Sequence, residues 1–350
     1  MRGTNQEPQP TLDAAIEQRK RMRMRRRRLL YLRRALILLC GAALLALVIA
    51  APIWIVSGLA GRASQTDADS TPVVSTTTTV PRPTEPPVPA VDTHTAPLEG
   101  KVDGTYAVLL DMTAGRVVAA KNADVQANPA SITKVMTLLV AVENIENLDE
   151  EYTMTWQIIN PLWEQGASIT GLESGETVRL RDLLYGCILP SGADATMALA
   201  EYVAGSEEAF AQLMNQKAAE LGCINTHFTN SSGLHDRLHK TTAMDMALIM
   251  AAAMSHPICA QVLKTAEYTM SPTDHHPDGL PLVSTLFKRL DQSVIKAGKT
   301  GYTDQARNTL MTYSEGADGH KYVYVTLDNN GHQNAVTDTL NVYKEFCGIE

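Results

Sequence analysis

Ser131 and Lys134 stand three residues apart in PASITKVMT, and apolar residues recur at helical spacing from Ser131 onward. On a helix, positions i and i+3 share a face, so the hydroxyl and the amine can meet. A serine hydroxyl becomes a nucleophile when a neighbouring base takes its proton, and a desolvated lysine can be that base. At a helix N-terminus the dipole favours the negative charge that develops there. The spacing alone decides little. Ser293 and Lys296 repeat it in strand-like surroundings, and an N-cap serine beside an exposed lysine would explain either pair. Two further motifs change the balance. Lys299-Thr300-Gly301 lies in the β-rich run AGKTGYT, where a strand can offer a cation and a hydroxyl to a carboxylate while glycine lets a substrate backbone approach. Ser191 lies in the turn LPSGADA ahead of a helix, where a second hydroxyl could relay a proton or simply cap the helix.

Taken in order, the three motifs resemble the active-site serine penicillin-binding enzymes, with Ser-x-x-Lys, then Ser-x-Asn, then Lys-Thr-Gly. The likeness extends over nearly all of 103–346. AVLLDMTAGRVVAAKNADVQANPASITKVMT, LPSGADATMALAE, LGCINTHFTNSSGLHD, TTAMDMALI and KTGYTDQA are all similar to the low-molecular-mass D-alanyl-D-alanine carboxypeptidases. The resemblance implies a serine hydrolase that removes the terminal D-Ala from peptidoglycan stem peptides, and that β-lactams acylate. It implies Ser131 as nucleophile, Lys134 as general base with its pKa lowered by burial and by Lys299, and Ser191 as proton relay. Lys299 and Thr300 would hold the substrate carboxylate beside Gly301, and the backbone N–H groups of Ser131 and Tyr302 would form the oxyanion hole. No cofactor is implied. One position departs from the pattern: Ala193 stands where the family's second motif usually has Asn, a residue that contacts the base lysine and the substrate. That opens a rival reading, a catalytically weak penicillin- or wall-binding domain. A serine β-lactamase is a further rival, but no Glu-x-x-Leu-Asn falls between Ser191 and Lys299. A transpeptidase remains a third.

The elements that must position these residues follow from periodicity. TYAVLLD (105–111) and RVVAA (116–120) read as a hairpin around MTAG. The region 140–265 reads as mostly helix, in LRDLLYGCIL (180–189), ADATMALAEYVAG (193–205), SEEAFAQLMNQKAAELG (206–222) and TAMDMALIMAAAM (242–254). Strands resume near 296, and a helix over about 334–346 closes the chain. Strands at both ends around helices predict an α+β sandwich. With the resemblance, this becomes a β-lactamase/transpeptidase-like fold: an antiparallel five-stranded sheet flanked by helices, with an inserted helical subdomain.

His235, Asp236 and His239 raise a metal site, since two His at i and i+4 with a carboxylate can bind zinc. Their setting reads as a loop and offers no third ligand, so a structural role and no metal are expected. Of the five cysteines, Cys187, Cys223, Cys259 and Cys347 could form two disulfides or serve as small buried hydrophobes.

Charge is divided unevenly. Residues 1–98 carry 13 Lys/Arg against 7 Asp/Glu, and residues 99–350 carry 17 against 31, for a net −8 overall. The acidic part argues against nucleic acid as a partner. The basic run at Arg19–Arg34 precedes 22 uncharged residues, Ala35–Val56, enough to cross a bilayer of roughly 30 Å. The positive flank orients the N-terminus to the cytoplasm. The expected order is a basic cytoplasmic tail (1–34), a single-pass transmembrane signal anchor (35–59), a Pro/Thr-rich linker (60–98) and an extracytoplasmic catalytic domain (99–350), on a bacterial cell membrane. Many relatives continue into a β-rich module and an amphipathic helix. This sequence ends at Glu350, and the N-terminal span is expected to do the anchoring.

Overall fold

A computed structural model describes residues 89–349; the expected tail, span and most of the linker lie outside them. A mixed sheet runs in the order β1-β3-β2-β10-β9-β8. Its strands are β1 (Ala96–Pro97), β2 (Tyr106–Asp111), β3 (Arg116–Lys121), β8 (Ala297–Thr303), β9 (Arg307–Glu315) and β10 (Lys321–Asn329). Five of them form the expected antiparallel sheet. The two-residue β1 adds a sixth, parallel to β3. Because Ala96 and Pro97 pair and Leu98 is fully buried, the folded domain begins before the expected linker end at 98.

Both faces of the sheet are covered, which explains why β2 reads as the unbroken apolar run AVLL rather than as an alternation. Ala107 and Leu109 face one layer. There they meet Tyr324, Tyr322 and the C-terminal helix α8 (His332–Cys347) through Ala335, Val342 and Tyr343. Val108 and Leu110 face the other layer with Val323, Val325 and Met311. That layer holds α1 (Lys134–Asn144), α3 (Leu180–Ile188), α4 (Ala193–Ala204), α5 (Glu207–Glu220), α6 (Ala243–Ser255) and α7 (Pro257–Lys264). Everything between β3 and β8 is thus an insertion, as expected. It also contains what periodicity did not predict: α2 (Trp156–Gln165), interrupted by Pro161, and the small ladders β4 (Glu151–Thr153) with β5 (Thr177–Arg179) and β6 (Glu267–Thr269) with β7 (Pro281–Val283). All four cysteines of the described residues are buried free thiols, so the hydrophobe reading holds and the disulfides do not. No single helix among the described residues is long and apolar enough to cross a membrane.

Candidate active site

A cleft of about 690 Å³ opens between the edge strand β8 and the helical layer, within the usual size range of ligand sites. Ser131, Lys134, Ser191, Ala193, Thr300, Gly301 and Tyr302 all line it. Ser131 is not on the α-helix itself but on a 3₁₀ turn, Ala130–Thr133, that runs directly into α1. Three features define this turn. Ala130 adopts a left-handed conformation (φ +52°), an uncommon and strained one for a residue with a Cβ. Thr309 Oγ1 on β9 donates to Pro129 O at 3.0 Å. Gly301 lies so close that a Cβ there would stand 2.4 Å from Thr309 Oγ1 and 2.9 Å from the Ser131 nitrogen. Only glycine allows β8 to approach the nucleophile turn this closely.

Lys134 Nζ lies 3.0 Å from Ser131 Oγ and donates to Ser232 O at 2.6 Å. The carbonyl of Ser232 comes from the loop Asn230–Gly233, which sequence reasoning noted but gave no role. Asn230 Oδ1 accepts from Ser232 N and Gly233 N, and Glu207 Oε1 accepts from Ser231 N and Oγ. The loop is therefore fixed by its own side chains and by α5. Gly233 is left-handed (φ +80°) and packs against the Ala130 carbonyl. Burial pushes the Lys134 amine down to about 8, against the opposing pull of Cys187, Asp194 and Glu207. Lys299 is also 1% exposed, and burial followed by the nearby Lys134 charge holds its amine well below the ordinary lysine range. Like charges repel mutually, so a proton on one amine disfavours a proton on the other.

Lys299 Nζ donates to Thr300 O at 2.9 Å. Beside it the wall presents Thr300, whose Oγ1 is 2.9 Å from Thr285 Oγ1, with Arg289 also lining the cleft. Thr285 and Arg289 carried no sequence signal, because they lie in a loop far from any motif. Arg289 Nη1 lies 3.3 Å from His332 Nδ1, which is also 3.0 Å from Asn308 Oδ1.

Ser191 does not cap α4; Gly192 does. Ser191 is itself left-handed (φ +66°) and 6% exposed, and its Oγ makes no hydrogen bond to the described residues. Its hydroxyl lies at the cleft lining with Ser131 and Lys134. At Gly192 a Cβ would lie 2.0 Å from Thr170 Oγ1 and 2.6 Å from Asp194 Oδ1. Asp194, fully buried, accepts from Thr170 N and Oγ1 and from Ala195 N, tying the segment 166–171 to the start of α4. Ala193 presents a methyl group to the cleft where the family pattern has Asn, and its N–H donates to Ser168 O at 2.8 Å. Lys134 is thus oriented by the Ser232 carbonyl rather than by a side chain at 193.

The other sequence candidates fall elsewhere. Ser293 and Lys296 form an exposed turn, not a strand, with the ammonium bound to the carbonyls of Gln292 and Ser293. His239 is 2% exposed and uses both ring nitrogens: Nδ1 accepts from Thr229 N at 3.0 Å, which leaves Nε2–H to donate to Thr133 Oγ1 at 2.9 Å. Burial drives its pKa down to about 4, so it stays neutral and braces the nucleophile turn.

Residues 91–331 match the peptidase S11 family, D-alanyl-D-alanine carboxypeptidase. The chain belongs to this family. It is 34% identical over 205 residues to the D-alanyl-D-alanine carboxypeptidase DacF of Bacillus subtilis, a match covering 58% of this chain and 52% of that protein. It is 35% identical to DacB2 of Mycobacterium tuberculosis, covering 58% of this chain and 68% of that one. The chain spans about half the length of the first curated relatives it matches. Among solved structures, the Streptomyces K15 DD-transpeptidase superposes with a TM-score of 0.65 at 25% identity, over 71% of this chain and 98% of that one. A D-alanyl-D-alanine carboxypeptidase from Mycobacterium tuberculosis gives 0.61 at 26% identity, over 69% and 90%. The chain therefore has the β-lactamase/transpeptidase architecture expected from the sequence.

Proposed function

We propose that this protein is a serine D,D-carboxypeptidase that removes the terminal D-Ala from peptidoglycan stem peptides and that β-lactams acylate. One observation carries the reading: a buried lysine amine sits 3.0 Å from a serine hydroxyl, in a cleft walled by an edge strand carrying Lys-Thr-Gly. In this reading the Ser131 proton passes to Lys134 Nζ as Oγ bonds to the carbonyl carbon of the penultimate D-Ala. Edge-strand N–H groups, Tyr302 among them, and the Ser131 N–H stabilise the oxyanion, each donor worth roughly 2.7–4 kcal/mol. The C–N bond then breaks, and the proton travels from Lys134 by way of Ser191 to the leaving D-Ala amine. Water hydrolyses the resulting ester and frees Ser131.

The paired lysines give the substrate a part in its own activation. A substrate carboxylate at Thr300 and Thr285 favours the charged form of the neighbouring Lys299. That charge repels a proton from Lys134 and leaves the base neutral. The expected pH profile follows. A base works only when deprotonated, so kcat/KM, which reports the free enzyme, rises with pH through an apparent pKa of about 8. The kcat profile, which reports the complex, shifts to lower pH. Profiles flat from pH 6 to 9 would contradict this assignment of the base.

The direct test is D-Ala release from a D-Ala-D-Ala-terminated peptide by the purified full chain, beside Ser131→Ala. Release abolished by the substitution is expected. Retained penicillin labelling without release would favour the second reading, a weak wall-binding domain, for which Ala193 is the motivating feature. Transfer to an added acceptor amine in preference to water would make the protein a transpeptidase. The N-terminal basic run and apolar segment support an anchor at 35–59 with the catalytic domain outside the cytoplasm. Cleavage of that domain by protease added to intact cells, after removal of any outer barrier, checks the topology; complete protection contradicts it.

A further inference from the structure

Helix α2 ends in Gln165 and Gly166, which with Ala167 and Ser168 form one wall of the cleft. Its sequence is WQIINPLWEQ. Ile158 and Leu162 are buried against the helical layer, whereas Trp156 and Trp163 are 62% and 67% exposed. At 100° per residue, seven residues return to within about 20° of the same direction, so the two indoles share a face. That face is turned about 130° from Ile158 and Leu162, at 100° per residue. The indoles are spaced about 10 Å along the axis, at 1.5 Å per residue. A large aromatic is seldom left in water without a use, and two on one face beside a cleft form a platform.

The chemistry around the platform narrows what it would hold. On that face Asn160 lies between the indoles, at i+4 from Trp156 and i−3 from Trp163, an amide that both donates and accepts hydrogen bonds. The helix has no Lys or Arg and carries Glu164, on a domain with a net charge of −14 over residues 99–350. An anionic membrane surface needs basic residues on the docking face, and this face lacks them. Two indoles with a neutral amide between them suit sugar rings, whose C–H faces stack on indole while a hydroxyl meets the amide. The indole spacing matches about one disaccharide of a β-1,4-linked glycan.

We propose that Trp156 and Trp163 form a glycan-binding platform that holds the sugar strand of peptidoglycan while its stem peptide enters the cleft. This rests on the reading of the cleft as a D,D-carboxypeptidase site, and the test separates the two. The full chain and a Trp156→Ala/Trp163→Ala variant are compared on a free pentapeptide and on glycan strands bearing the same peptide. Binding to bare glycan strands stripped of peptide is followed by tryptophan fluorescence, and by co-sedimentation for the variant. The variant is expected to keep wild-type kcat/KM on the free peptide, to lose about tenfold on glycan-linked peptide, and to lose binding to bare strands. If neither protein releases D-Ala but the wild type alone binds bare strands, the platform stands and the activity falls. Equal turnover of glycan-linked peptide together with equal binding to bare strands overturns the platform. So does a loss confined to a lipid-linked precursor in vesicles, which would assign the face to the membrane.

Discussion

Lys134→Met is expected to give a folded protein that penicillin acylates at least about a hundredfold more slowly, because general-base catalysis is worth about 10² to 10⁴ and no other amine touches Ser131 Oγ among the described residues. Methionine is nearly isosteric with the lysine stem, so the position stays filled and no large cavity opens. The lost ammonium leaves the Ser232 carbonyl without its donor, at a cost of about 1–3 kcal/mol. Removal of a buried charge held down by its surroundings offsets part of this loss. Thermal stability is therefore expected to change by only a few degrees while acylation collapses. Lys134→Arg sharpens the test: it keeps the charge but cannot give up its proton at accessible pH, so it should be as inactive as the methionine variant. Acylation of either variant within tenfold of wild type, followed by stopped-flow with a fluorescent penicillin, would remove Lys134 from the role of base.

Gly301→Val tests the geometry rather than the chemistry. Its Cβ would fall 2.4 Å from Thr309 Oγ1, 2.9 Å from Ser131 N and 3.2 Å from Ala130 Cβ. The first atom can rotate away. The second is backbone in a turn already strained at Ala130, so strand and turn must separate. A misplacement of about 1 Å at a reacting centre can cost 10²-fold, and a loss of at least that size in acylation rate is expected. The far-UV circular dichroism should not change, because the rest of the pairing from Ala297 to Thr303 against β9 is untouched. A variant that acylates within a few-fold of wild type would mean that the close contact of β8 with Ser131 is not needed.

The sequence made the frame legible where one physical signal dominated. The apolar run AVLL in β2, the helical spacing through 131–144 and the order of strands around helices give the sandwich directly. The helix α2 was missed because Asn160-Pro161 interrupts its pattern, and β1 because two residues carry no periodicity. At the site, the local motifs found Ser131, Lys134, Ser191 and the Thr300–Tyr302 wall, since each motif binds neighbouring positions. Three things were beyond local reasoning. The Ser232 carbonyl is a backbone group brought in from almost a hundred residues away. Thr285 and Arg289 reach the cleft from a loop that no motif marks. Ser191 sits in a left-handed turn that a Pro-Ser-Gly sequence permits without dictating.

The central claim is that Ser131, poised by Lys134, is the acylated atom. The measurement that meets it most directly is the intact mass of the full chain after exposure to benzylpenicillin, with peptide mapping of the modified site. The account predicts one adduct, of the whole penicillin, on the peptide containing Ser131, absent from Ser131→Ala and much slower to form in Lys134→Met. An adduct on Ser191 or Ser293, or one that persists in Ser131→Ala, would contradict it.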